Sequence, residues 1–86
     1  MEIRFHRTFL KHYEKLPVKI QARLQERLTT FSENPFDESL RNHSLTGEWT
    51  GCRSINVTGD YRAVYESVNE NEALFLAVGT PSKLYR

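Results

Sequence analysis

An α+β fold follows from three features of the sequence. Polarity alternates at every second residue at the start of the chain, two apolar stripes of helical period flank Pro17, and short alternating segments fill the second half. The predicted order is an N-terminal strand, a helical hairpin, then a three-stranded antiparallel meander. The hairpin is expected to cover one face of a small, mostly antiparallel sheet and to leave the other face partly open. The 86 residues suffice for one domain, residues 1–86. A second core would bury too little apolar surface to offset the ordering of its chain.

Ile3 and Phe5 alternate with Glu2, Arg4 and His6, the pattern of a half-buried strand. Thr8 is the expected N-cap of the first helix, in which Phe9, Tyr13 and Leu16 share one face. Pro17 ends that helix and suits the first turn of the second, where a missing amide hydrogen leaves nothing unpaired. Ile20, Leu24, Leu28 and Phe31 form the buried stripe of the second helix. It must stop near Asn34, because Pro35 disfavours the helical conformation of the residue before it. Residues 34–47 have no sustained period and read as a connecting loop with one short turn, and long ordered connections are often functional. A strand from Cys52 to Thr58 sets Arg53, Ile55 and Val57 on one side and Cys52, Ser54 and Asn56 on the other. Thr58-Gly59-Asp60-Tyr61 fits a two-residue hairpin with Gly59 at positive φ. Strands from Tyr61 to Ser67 and from Ala73 to Gly79 complete the meander, the last with Leu74, Leu76 and Val78 pointing one way.

With 38% hydrophobic and 27% charged residues the composition is globular, and no apolar run approaches a membrane span. The single cysteine, Cys52, can form neither an internal disulfide nor the thiolate set of a zinc site, and the three histidines are not at ligand spacing. No metal or cofactor is expected, and a reducing, cytoplasmic setting is. The N-terminus lacks the apolar stretch of a secretory signal. Twelve basic and eleven acidic side chains leave a net charge of +1, and neither half of the chain is a basic tail. A nucleic-acid partner would therefore need a focused arginine cluster, not a general positive field.

Arg53 and Arg62 fall on adjacent strands joined by the tight turn. If they share the open face, they form a paired cationic site whose fixed donor forks suit phosphate oxygens. The competing reading pairs each with Glu48 or Glu66 as a surface ion pair. Asp60 is either a turn former or a working carboxylate. His43, in a polar loop, is either solvent-facing or available for proton transfer or base stacking. Tyr61, Tyr65 and Tyr85 offer aromatic planes for single-stranded RNA but are also good strand residues. Trp49 reads as a loop anchor, Cys52 as a packed small residue, and His6 and His12 as structural.

Several strings, in this order and spacing, carry a resemblance. They are Leu16-Pro17 between the helices, Glu33-Asn34-Pro35-Phe36 after them, and Asn42-His43-Ser44-Leu45-Thr46-Gly47 with Trp49 and Gly51-Cys52-Arg53. Gly59-Asp60-Tyr61-Arg62-Ala63-Val64-Tyr65 and the ending Val78-Gly79-Thr80-Pro81-Ser82-Lys83-Leu84-Tyr85 complete the set. Over nearly its whole length the chain resembles the RelE/ParE superfamily of bacterial type II toxin–antitoxin toxins, and within it the YafQ-like branch.

The resemblance implies a RelE/ParE-like fold and a ribosome-dependent mRNA endonuclease in which the RNA's own 2′-hydroxyl attacks the adjacent phosphate. It implies a catalytic set of His43, Asp60, Arg62 and Tyr85, with Arg53, Lys83 and Tyr61 binding RNA. Asp60 or His43 would be the general base, Arg62 with Arg53 would stabilise charge on phosphorus, and Tyr85 or His43 would protonate the leaving oxygen. YafQ-like toxins carry a catalytic His in a Gly-Thr-His-x-x-Leu string where this chain reads Gly79-Thr80-Pro81-Ser82-Lys83-Leu84. Lys83, Tyr85 or His43 would then have to compensate for Pro81. The implied partners are a cognate antitoxin in a hetero-oligomer, lying across the helical hairpin and the sheet with acidic side chains on Arg53 and Arg62, and mRNA on the ribosome, with no membrane. Two alternatives stay open: a ParE-like toxin that inhibits DNA gyrase and needs no RNA-cleaving residues, and a catalytically weak antitoxin-binding module.

Overall fold

In the computed structural model, which describes residues 1–85, the chain opens with strand β1 (Glu2–Phe5). Helices α1 (Arg7–Glu14) and α2 (Val18–Glu33) follow, then strands β2 (His43–Ser44), β3 (Arg53–Asn56), β4 (Arg62–Asn69) and β5 (Glu72–Gly79), and a last helical turn, α3 (Pro81–Leu84). The sheet order is β1-β5-β4-β3-β2. β1 lies parallel to β5, a pairing that the long intervening chain permits, and the remaining pairs are antiparallel. The predicted strand, helical hairpin and meander are all present.

Several local expectations are corrected. The N-cap of α1 is His6, not Thr8: His6 Nδ1 accepts the Thr8 amide at 3.0 Å. The segment expected to be a loop with one short turn has that turn, as a 3-10 turn at Glu38–Leu40, but its end also pairs as the short edge strand β2. Gly59 is not at positive φ; positive-φ glycines are Gly47 and Gly51, which flank Trp49. The β3–β4 connection is instead closed by Thr58, whose Oγ1 accepts the amides of Asp60 and Tyr61 at 3.2 and 3.3 Å. In β5, Tyr65 pairs with Phe75 while Val64 pairs with Ala77, so Leu76 is an extra residue and the facing pattern reverses there. Ala73 and Phe75, not Leu74 and Leu76, point to the helices, and Val78 joins them beyond the bulge.

The helix-side core is aromatic at its centre. Phe31 of α2 meets Tyr65 edge-on at 4.8 Å and Phe75 at 5.2 Å, and Phe9 of α1 meets Phe75 at 5.7 Å. Leu24 and Phe31 of the predicted stripe are fully buried, and Ile20 and Leu28 pack partly buried beside them. A smaller cluster on the opposite face joins Val64, Ala77 and Leu84 with Leu45, Trp49 and Cys52. Trp49 anchors it as expected, donating Nε1–H to the Leu84 carbonyl at 2.8 Å.

Two side chains tie this core to its flanks. Asn42 Nδ2 donates to the Pro35 carbonyl at 2.9 Å and to the hydroxyl of buried Tyr65 at 2.7 Å, while Asn42 Oδ1 accepts from Arg53 Nε at 2.7 Å. His12 Nδ1 accepts the Val78 amide at 3.3 Å, which requires that nitrogen to be unprotonated. Burial, then the charges of Lys15 and Lys83, hold the His12 pKa below its ordinary value.

Because its folded-state pKa is depressed, neutral His12 contributes stability that is fully present above about pH 6.5 and is lost as pH falls from there through the folded value. Thermal melts at pH 7.5 and 5.5 are expected to show a smaller difference for His12→Asn, whose Oδ1 still accepts, than for the parent. Asn42→Ala is expected to cost about 1–3 kcal/mol in chemical denaturation, because the buried Tyr65 hydroxyl loses its partner. Adding Tyr65→Phe to Asn42→Ala should recover part of that loss in a double-mutant cycle.

Candidate active site

The face of the sheet away from α1 and α2 carries the site, and strand register decides which side chains reach it. Residues paired directly across antiparallel strands share a face. Arg53 pairs with Tyr65 and Asn56 pairs with Arg62. Tyr65 lies in the helix-side core, so Arg53 points to the helix side, whereas Arg62 shares the open face with Asn56 and Val64. The two arginines therefore do not form the expected pair. Arg53 is held by Asn42, with its guanidinium 5.3 Å from the Phe36 ring. The alternative ion pairs with Glu48 or Glu66 are also absent; among the described residues the ion pairs are Arg4–Glu72 and Arg23–Glu26.

Three of the four predicted catalytic residues do come together. His43 from β2, Arg62 from β4 and Tyr85 after α3 line one open depression, with Arg41, Asn56 and Pro81 completing its rim. Each is placed by a local device. Asp37 caps the 3-10 turn through Ser39, and Arg41 then reverses the chain in the left-handed conformation, with φ 48° and ψ 46°. That conformation strains a residue bearing a Cβ, and it delivers His43 into register opposite Ser54. His43 Nδ1 lies 2.8 Å from the Arg41 carbonyl, so Nδ1 is the donor, and in the neutral ring Nε2 carries the lone pair.

Arg62 is split in use. Its Nη1 donates to the carbonyls of Thr58, Gly59 and Tyr61 at 3.0, 3.0 and 3.1 Å, bracing the β3–β4 loop. Nε and Nη2 make no hydrogen bond among the described residues, which leaves two donor nitrogens of the fork for an anion. The Tyr85 hydroxyl lies 3.4 Å from Ser54 Oγ, and the residue is 40% exposed. Among the described residues no carboxylate lines the depression, and its two guanidinium groups, those of Arg41 and Arg62, face no acidic side chain of that lining.

The remaining predicted residues lie elsewhere. Asp60 is exposed at the β3–β4 loop and does not line the depression. Lys83 and Tyr61 line a separate cleft together with His12 and Lys15. Cys52 is half-buried in the smaller cluster, and burial, then the Glu66 charge, raises its thiol pKa, so it is not a poised nucleophile. Among the described residues no three His, Cys, Asp or Glu side chains group to hold a metal ion, and no helix is long and apolar enough to cross a membrane. Sequence reasoning missed Arg41 and Asn56. The signal for Asn56 was present, since it alternates with Ile55 and Val57 and so must face away from the helices. Nothing in the sequence marks Arg41, because a left-handed conformation at a residue other than glycine depends on its surroundings.

The family pattern described as "Bacterial toxin of type II toxin-antitoxin system, YafQ" matches residues 1–86. A Haemophilus influenzae relative that bears the name toxin YafQ is 37% identical over 38 residues, a segment spanning 44% of this chain and 37% of that relative's length. The crystal structure of YafQ from E. coli shares the fold at TM-score 0.82 and 21% identity, over 99% of this chain and 98% of that one. The toxin–antitoxin complex RelBE2 from Mycobacterium tuberculosis contains a chain matching at TM-score 0.74 and 28% identity, over 92% of this chain and 95% of that one. Because the family pattern spans all of it and the architecture agrees, this chain belongs to the YafQ family of bacterial toxins of type II toxin–antitoxin systems.

Proposed function

We propose that this chain is the toxin of a type II pair and acts as an endoribonuclease, cutting mRNA on the ribosome by attack of the RNA's 2′-hydroxyl on the adjacent phosphate. The observation that carries the reading is the convergence of His43, Arg62 and Tyr85 in one depression that is open to solvent and, among the described residues, lined by no carboxylate. A polyanionic chain can enter such a depression without repulsion, and three groups with distinct chemistry then surround its phosphate.

In this reading His43 Nε2 takes the 2′-hydroxyl proton, with its tautomer fixed by the hydrogen bond from Nδ1 to the Arg41 carbonyl. The O2′–P bond forms as the P–O5′ bond breaks, giving a 2′,3′-cyclic phosphate and a free 5′-hydroxyl. The two unengaged donors of Arg62 meet the negative charge that builds on the phosphoryl oxygens, and bracing by the loop carbonyls limits the reorganisation this needs. Tyr85 supplies the proton to O5′. Pro81, on the rim, has no proton to give, which favours Tyr85 as the acid and His43 as the base. The exposed position of Asp60 favours a turn role over a share in proton transfer.

The partner in this reading is a cognate antitoxin that forms a hetero-oligomer with the toxin, as E. coli YafQ does with DinJ in a structure matching at TM-score 0.80 and 20% identity. An antitoxin segment on the open face would meet Arg41 and Arg62 but not Arg53, which lies across the sheet.

Primer extension on cellular mRNA after induction tests the reading. Codon-phased new ends are expected with the parent chain, and DNA breaks without such ends would instead support gyrase inhibition. His43→Ala and Arg62→Ala are expected to lower cleavage by about 10²-fold or more while circular dichroism shows a folded protein. Tyr85→Phe, which keeps the ring and removes the proton, should slow cleavage far more than Asp60→Ala does. Equal effects of those two substitutions would overturn the assignment of the acid.

A further inference from the structure

We propose that Asn42 is a positioning residue for His43: its side-chain amide clamps the left-handed turn at Arg41, and through the carbonyl of that turn it selects the tautomer in which His43 Nε2 is free to take a proton. The consequence for cleavage rests on the ribonuclease reading, whereas the effect on the imidazole does not.

His43 has little of its own to hold it. It is exposed and lies on the two-residue edge strand β2. Among the described residues, the only hydrogen bond of its ring is the one from Nδ1 to the Arg41 carbonyl. That carbonyl belongs to a residue at φ 48° and ψ 46°, a conformation that a side chain with a Cβ keeps only where its neighbours enforce it. On the N-terminal side the enforcement comes from fully buried Leu40 and from the Arg41 amide, which donates to the Glu38 carbonyl at 3.2 Å. On the C-terminal side it comes from Asn42.

The Asn42 amide admits one orientation. The Pro35 carbonyl can only accept and the Arg53 guanidinium can only donate, so a half-turn of the amide would set oxygen against oxygen and nitrogen against nitrogen. The hydroxyl of buried Tyr65 takes the second Nδ2 hydrogen, which leaves that nitrogen no donor to spare. These bonds tie the residue between Arg41 and His43 to the chain just after α2, to β3 and to β4. Asn42 borders the depression, but its amide is committed to these three partners and so acts through His43.

The other histidines show that the partner of Nδ1 decides the tautomer. His6 Nδ1 accepts the Thr8 amide at 3.0 Å and His12 Nδ1 accepts the Val78 amide at 3.3 Å, so each neutral ring carries its proton on Nε2. Of the three, only His43 turns Nδ1 to a carbonyl.

Long-range ¹H–¹⁵N correlation spectra of the ¹⁵N-labelled chain at about pH 8, where an ordinary imidazole is neutral, read the tautomers directly, with His6 and His12 as internal controls. The variant is Asn42→Ala combined with Tyr65→Phe, which leaves no buried hydroxyl without a partner, and Tyr65→Phe alone is its reference. The parent and the reference are expected to hold the His43 proton on Nδ1, and the double variant to show both tautomers while the controls stay unchanged. In cleavage of mRNA on programmed ribosomes, kcat of the double variant is expected to fall by up to about 10²-fold below the reference, with KM unchanged. Arg53→Ala, which removes the bond to Asn42 Oδ1, should also lower kcat and leave KM unchanged. A parental His43 tautomer in the double variant overturns the proposal, as does a kcat equal to that of the reference. A raised KM with unchanged kcat in Arg53→Ala would overturn the place of Arg53 in the clamp and return it to RNA binding. Absence of cleavage by the parent would remove the ribonuclease reading, while the tautomer measurement still decides the clamp.

Discussion

The pairing of β3 with β4 is the constraint on which the site depends. Opposing Arg53 to Tyr65 and Asn56 to Arg62 fixes which side chains face the helices and which face solvent. Because side chains alternate with a period of two, a slip of one residue would turn Tyr65, Ala63 and Ile55 out of the core and bring Arg62 into it. The buried aromatic contacts of Tyr65 with Phe31 and Phe75 therefore specify the register that holds Arg62 outward. Core packing and the outward placement of Arg62 are two consequences of one hydrogen-bonded ladder.

A second link runs from the same tyrosine along the chain. Tyr65 accepts from Asn42, and Asn42 sits between the strained Arg41 and His43. A left-handed conformation at a residue with a Cβ costs about 1–3 kcal/mol and persists only where the surroundings over-determine it. Here Asn42 ties its segment to Pro35, Tyr65 and Arg53 at once, and Leu40 just before it is fully buried. Arg53, expected to bind RNA, thus serves the structure, because it completes the bonds of the residue that precedes His43. Its guanidinium lies against Phe36 at the edge of the helix side, remote in facing from the depression.

Elements with long periods were legible in the sequence. The stripe from Ile20 to Phe31, the break at Pro17 and the alternation through Ile55 and Val57 each repeat often enough to define a face. The face of Arg53 was legible too, since alternation groups it with Ile55 and Val57, but chemical similarity to Arg62 suggested a pair that the ladder forbids. Less legible were features set by only one or two residues. Leu76 becomes an extra residue through the way β5 meets β4, and no pattern within β5 alone reveals it. The turn at Gly59 looked like a glycine-dependent hairpin, yet Thr58 Oγ1 and Arg62 Nη1 hold it by side chains, so no positive φ is needed. In the site, His43, Arg62 and Tyr85 were nameable from residue type and resemblance. That Asp60 stands apart depends on the loop's path, which only three dimensions supply.

The near-neutral charge of the chain does not set the field at the site. A net charge of +1 from twelve basic and eleven acidic side chains would spread to almost nothing if the signs were mixed evenly. The described ion pairs, however, lie at Arg4–Glu72 and Arg23–Glu26, away from the depression and the cleft, and among the described residues no carboxylate lines either of those. Glu26 and Glu72 neutralise cations elsewhere, while Arg41 and Arg62 line the depression and Lys15 and Lys83 line the cleft. At physiological salt, fields between exposed charges fade over about 8 Å, which makes the local arrangement decisive and the total nearly irrelevant. Under the proposed ribonuclease reading, a weakly charged toxin would engage a polyanion through short-range, geometrically fixed contacts and gain little from long-range attraction. Occupation of the depression by an antitoxin carboxylate would therefore remove most of its electrostatic attraction for RNA.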